Sequence, residues 1–190
     1  MRRRGSNGNL VAPPQWEDER FDFTGRRIDI SAGRIDYNYA ELGIDFQDNA
    51  LYPTDLIGII DQMHHRWKLE SEIRPHLHWM QSGANLPNWL LRYRIYRNGD
   101  SPPAWTNAAY TSNLFTYTAG TILQIAEFPA IDMTGIDTVS AFVDFKMYRD
   151  TTNASGLFAG ADPLVGDALS KEFDIHYQVD SSGSTAEYDK

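Results

Sequence analysis

The segment EIRPHLHW, residues 72–79, places His76 and His78 one residue apart in a run that alternates as a β-strand does. Residues i and i+2 of an extended chain lie on one side, ~6.6 Å apart along the strand. The two imidazoles therefore share a face, and could ligate one ion if the fold supplies a third ligand. His176, with Asp174 beside it on the same face of EFDIHYQV, is the candidate from a distant strand. Two histidines and one carboxylate suit non-haem iron, and three histidines suit zinc. The competing reading is that the imidazoles bond to neighbouring strands or pack at a subunit contact.

His-x-His spacing is similar to that of the cupins, which are jelly-roll metal enzymes. The cupin motif continues with a Glu three or four residues past the second His. From His78 this chain reads HWMQSGANLP, with no acid. The departure argues for no bound metal, no cofactor and no catalytic residue, leaving His76, His78 and His176 as the metal candidates. His64 and His65 are adjacent, so they point apart on an extended chain and read as a loop feature. The acidic patches WEDER (16–20) and GIDFQD (43–48) read as solvated surface and lack an EF-hand pattern. SSGS (181–184) has no nucleophile-elbow context, and GLFAGAD (156–162) has no strand-to-helix phosphate cradle. LRYRIYR (91–97) could stack on nucleobases, but in an acidic chain it reads as an ion-pair and packing face.

Composition narrows the classes further. A chain of 190 residues supports one well-buried domain, and 42% hydrophobic with 13% aromatic content is that of a globular protein. The net charge of −9 opposes general nucleic-acid binding, which requires Lys and Arg to displace counterions. Without cysteine there is no disulfide or thiolate metal site, which suits a reducing compartment. No apolar run approaches the ~20 residues of a membrane helix. The start, MRRRGSNGNLVAPP, follows its arginines with Gly, Asn and Pro and does not read as a secretory signal. Residues 1–14 hold three Arg and no acid, so the rest carries all 26 acidic residues against 14 basic ones. A basic arm on an acidic body points to contact with a neighbouring subunit through Arg2, Arg3 and Arg4.

The elements that must position these groups are strands. Ile28 and Ile30, then Ile35, Tyr37 and Tyr39 after Ala32-Gly33, predict a hairpin. LIGII (56–60) predicts a short buried strand, and DQMHHRWKLESE after it a strand end and loop. IRPHLHWM alternates Leu77 and Trp79 against the histidines. WLLRYRIYR sets Trp89, Leu91, Tyr93 and Ile95 on one face, and TILQIAEF (121–128) predicts a shorter strand. TVSAFVDFKMYR sets Val143, Phe145 and Met147 together, and EFDIHYQV does so with Phe173, Ile175, Tyr177 and Val179. Eight or nine strands without an amphipathic helix predict an antiparallel β-sandwich, a jelly roll in particular. The expected division is an N-terminal arm at 1–20, a sandwich at 21–180 and a C-terminal tail at 181–190.

Two stretches carry a resemblance. HRWKLESEIRPHLHW with WLLRYRIYRNGD, and the segment from FKMYRD to the end, resemble a family of uncharacterised tailed-bacteriophage proteins. That family has a Lys-x-Gly-Ser-x-Ile-x-Pro-His-x-His-Trp block and a later Arg-Asp…Asp-Phe-His-Tyr-Gln-x-Asp-x-x-Gly-Ser block. Lys68, Ser71, Ile73, Pro75, His76, His78 and Trp79 match the first. Arg149, Asp150, Asp174, His176, Tyr177, Gln178, Asp180, Gly183 and Ser184 match the second. Glu70 stands where the family tends to have Gly, and Ile175 where it tends to have Phe. The resemblance covers about the last two-thirds of the chain.

It implies a virion structural protein and no enzyme. The expectation is a capsid decoration or cement protein on the outer surface of the head. It would bind the major capsid protein as a homo-oligomer, a trimer, with no membrane and no specific nucleic acid as partner. A tail, connector or fibre-base protein is the alternative. A cupin-like metal enzyme is the second alternative.

Overall fold

The computed structural model describes residues 15–23, 28–29, 34–81, 83, 85–109, 123–138 and 140–180. They form eleven strands: β1 (Gln15–Asp22), β2 (Ile28–Asp29), β3 (Ile35–Asn38), β4 (Gly43–Phe46), β5 (Leu56–Gln62), β6 (Ile73–Gln81), β7 (Trp89–Tyr96), β8 (Thr106–Ala109), β9 (Gln124–Glu127), β10 (Phe142–Arg149) and β11 (Ala168–Val179). One sheet runs β3-β4-β11-β6-β9, with β1 also paired to β11; the other runs β2-β5-β10-β7-β8. Every pairing is antiparallel.

The pairing rule within this order defines the fold. Counting from β4, the outermost strands pair first, then the next ones in: β4 with β11, β5 with β10, β6 with β9, β7 with β8. That is a long antiparallel ladder rolled into two sheets, β4-β11-β6-β9 over β5-β10-β7-β8, and it is a jelly roll. The expected all-β sandwich is what the chain forms.

Alternation explains which side each sheet buries. Leu77 and Trp79 of β6, with Phe173, Ile175 and Tyr177 of β11, face Leu91 of β7 and Val143, Phe145 and Met147 of β10 across one core. Aromatic rings bolt the layers together. Trp89 meets Phe46 edge-on at 5.2 Å and Trp79 at 6.0 Å, and Phe145 meets Phe173 at 5.1 Å. A second, smaller cluster of Leu56, Leu90 and Tyr148, with Tyr52 and Phe158 packed on it, forms away from this core.

The long connection from β10 to β11 is held from within. Arg149 is fully buried; its Nε donates to Asp162 Oδ2 at 2.8 Å, and its other nitrogens donate to the carbonyls of Phe46, Leu164 and Gly166. Asp150 accepts from the backbone N–H groups of Ala154 and Ser155. Part of the loop's polar backbone is thereby paired without a strand or helix of its own.

Three expectations are corrected. The hairpin across 28–39 does not form: β2 pairs with β5 in one sheet and β3 with β4 in the other. The intervening Ile30–Gly33 lies outside the described residues. GIDF of the supposed solvated patch is β4, with Ile44 and Phe46 fully buried. Its glycine suits the site, because a Cβ on Gly43 would lie 2.5 Å from the Ser170 carbonyl oxygen of β11. Finally, the segment expected as an arm through residue 20 is a sheet strand from Gln15 onward, paired along β11 as far as Val179. Arg2, Arg3 and Arg4, and the tail from 181, lie outside the described residues.

Candidate functional site

The sheet registers decide which polar groups meet. β6 and β11 are neighbours, with Asp174 directly opposite His76 and Glu172 opposite His78. Across β11, β1 sets Asp18 opposite His176. On the other side, β9 sets Glu127 opposite His76. Since the inward faces of β6 and β11 hold the apolar core, these groups share the outer face of the first sheet.

Asp174 stands at the centre. Its Oδ1 lies 2.7 Å from His76 Nε2, and its Oδ2 lies 3.4 Å from His78 Nε2. Ligand atoms of His76, His78 and Asp174 all fall within 4.8 Å of one another. Although on an outer face, Asp174 is only 3% exposed and His76 only 7%. Burial opposes charging of the His76 imidazole, but the Asp174 carboxylate outweighs it and raises the pKa above the ordinary histidine value.

His176 takes a different partner from the one its spacing suggested. Its Nε2 lies 2.9 Å from Asp18 Oδ1, while its ring stands edge-on to His76 with centroids 4.3 Å apart. Of the three histidines, the fold therefore brings His76 and His78 onto one carboxylate and gives His176 another. Asp18 belongs to WEDER, expected as solvated surface. That whole stretch is engaged instead, since Glu17 pairs with Arg66 at 2.8 Å and Glu19 lies 3.5 Å from His64. No local signal marks Asp18 or Glu127; only the strand register does. A cleft of about 360 Å³ borders the cluster, lined by Arg74, Pro75, His76, Glu127, Phe128 and His176 among others.

The outer face of the second sheet is an ion-pair and packing surface. Arg94 Nε donates to Asp144 Oδ2 at 2.6 Å, and the Tyr96 hydroxyl donates to the same carboxylate. The Trp105 ring meets two cations, the Arg94 guanidinium at 4.6 Å and Lys146 Nζ at 4.6 Å. This is the role expected of LRYRIYR. At the sandwich end, burial and the carboxylates of Glu17 and Glu19 push the Tyr177 hydroxyl up to about 12.

Fold and site together define a jelly-roll β-sandwich with a histidine–aspartate cluster on one outer face. No family model and no curated protein sequence matches the chain. Among solved structures it is similar to the xylan-binding module CBM15, at 14% identity and a TM-score of 0.45, over 87% of this chain and 99% of that one. It is also similar to TmCBM27, a carbohydrate-binding module studied for mannan recognition, at 12% identity and a TM-score of 0.32, covering 88% and 97%. A third likeness is to the enzymatically active domain of bacteriophage CBA120 tailspike protein 4. There the identity is 5% and the TM-score 0.38, over 86% of this chain and 19% of that one. Likenesses at this level do not bear on what the chain binds.

Proposed function

We propose that the chain is a structural protein of a tailed-bacteriophage virion: a head decoration or cement protein on the outer capsid surface. It binds the major capsid protein, stabilises the head, and carries out no catalysis. The observation that supports this reading is where the residues matching the phage family lie. Ile73, Pro75, Trp79 and Tyr177 are buried in the sandwich. Arg149 and Asp150 hold the β10–β11 loop. Lys68 and Gln178, from the two separate blocks, bond through the Lys68 N–H to the Gln178 carbonyl at 2.7 Å and again through their side chains. These matched residues thus build the body, while Pro75, His76 and His176 line the cleft.

In this reading the chain acts as a homotrimer, and residues 1–14 lie on a neighbouring subunit. Arg2, Arg3 and Arg4 pair there with carboxylates. One exposed pair contributes only ~0–1 kcal/mol, so several contacts and the apolar Leu10-Val11 must act together. Deleting residues 2–14 leaves a folded β-body that binds particles lacking this protein more weakly than the full chain does. The gap is widest at low salt and narrows as salt screens the arginines. Cosedimentation across a salt series checks this; equal binding at every salt concentration would reduce the arm to a solvated tail.

A further inference from the structure

We propose that His76, His78 and Asp174 bind one divalent transition-metal ion of the zinc class, clamping β6 to β11 on the outer face of the first sheet. The site rests on this geometry whether or not the protein belongs to a virion. Two ligands come from one strand at i and i+2, and the third comes from its hydrogen-bonded neighbour, opposite the first. All three ligand atoms already lie within 4.8 Å of one another. Bonds of about 2.0–2.2 Å to zinc put tetrahedral ligands roughly 3.3 Å apart, so side-chain adjustments of about an ångström close the set.

The orphaned oxygen at the centre is an independent observation. Asp174 Oδ1 is buried and lies 2.7 Å from His76 Nε2, yet among the described residues no donor hydrogen is aimed at it. Proximity without a directed hydrogen bond leaves this buried oxygen to its charge interaction with His76 and short of an aimed donor. An ion drawing the imidazole nitrogens and the carboxylate to a common point satisfies that oxygen.

Donor chemistry selects the ion. Two imidazoles and one carboxylate suit zinc and its first-row neighbours, whereas calcium and magnesium favour all-oxygen sets. His176 is outside the ligand set, because its Nε2 is held by Asp18. Its ring packs edge-on against His76 and restricts how that imidazole can turn. Three protein ligands leave a fourth position for water.

The test uses the untagged full chain, stripped with chelator and titrated with zinc chloride by calorimetry. The expected result is saturable binding of one ion per chain. Melting temperature should rise by about 5–10 °C at a hundredfold excess of zinc over its Kd. H78Q and D174N should each weaken binding by more than the roughly 10–100-fold that loss of an outer-shell partner costs, and H176Q by no more than that. Should the variants fail to fold, cobalt(II) added to the wild-type chain decides instead. Visible d–d bands of a four- or five-coordinate nitrogen–oxygen site support the clamp, and the weak spectrum of aqueous cobalt overturns it. It is equally overturned by no saturable zinc binding, by full binding in folded H78Q or D174N, or by H176Q losing the ion as they do. The first of these results would make the cluster a plain histidine–carboxylate ion pair.

Discussion

Arg149→Met is expected to lower the stability of the fold by about 3–5 kcal/mol, the usual consequence of removing one partner from a buried ion pair. The guanidinium is fully buried and does four things at once: it neutralises Asp162 and donates to the carbonyls of Phe46, Leu164 and Gly166. Those contacts tie the end of β10 to β4 and to the chain entering β11. Methionine fills comparable space but leaves the Asp162 carboxylate, itself only 1% exposed in its side chain, without its cation. Two backbone N–H groups, of Asn88 and Leu164, still donate to that carboxylate and limit the loss. At about 2–4 °C per kcal/mol for a chain of this size, melting should fall by roughly 6–20 °C. Arg149→Lys keeps the charge but not the planar fork, and should fall between the two. Urea and thermal unfolding check both variants; a loss for Arg149→Met below about 1 kcal/mol would mean the loop is held by other contacts.

Trp89→Ala should cost a similar ~3–5 kcal/mol by another route. Trp89 projects from β7 into the space between the sheets, where it meets Phe46 of β4 and Trp79 of β6. Truncation opens a cavity that two strands of the opposite sheet would have to collapse into. Trp89→Phe should cost less than half as much. It retains most of the ring contact and removes an indole N–H that has no hydrogen-bond partner among the described residues. Equal losses for the two variants would contradict the view that ring packing between the layers is what Trp89 supplies.

How far these features were legible follows from strand length. β6, β7, β10 and β11 span eight to twelve residues each, and their alternation stands out in the sequence. β4 and β8 have four residues each, too few for period-2 alternation to rise above chance; β3 and β9 are as short but fall inside stretches that were read as strands. β4 was further disguised by its Asp45 and by Asp48 just after it, so its two buried apolar residues read as surface. The hairpin expected from 28–39 does not form because Ile28 pairs with Ile57 in one sheet and Ile35 with Phe46 in the other. At the site, shared direction of His76 and His78 was readable from spacing alone. Which group joins them was not, since Asp174 and His176 are equally placed on β11 until β6 and β1 fix their registers. Arg149 was legible only as a residue shared with the phage family. Its role depends on carbonyls from two separate places in the chain, Phe46 in one and Leu164 and Gly166 in the other.

Counting copies of this chain in purified particles, by quantitative mass spectrometry against the major capsid protein, tests the proposed function most directly. A decoration protein at the capsid's repeated junctions should be present on the order of hundreds of copies per particle, in fixed ratio to the capsid subunit. About a dozen copies or fewer would contradict the head reading and put the chain at the tail or connector. Its absence from particles that encode it would contradict a virion role altogether.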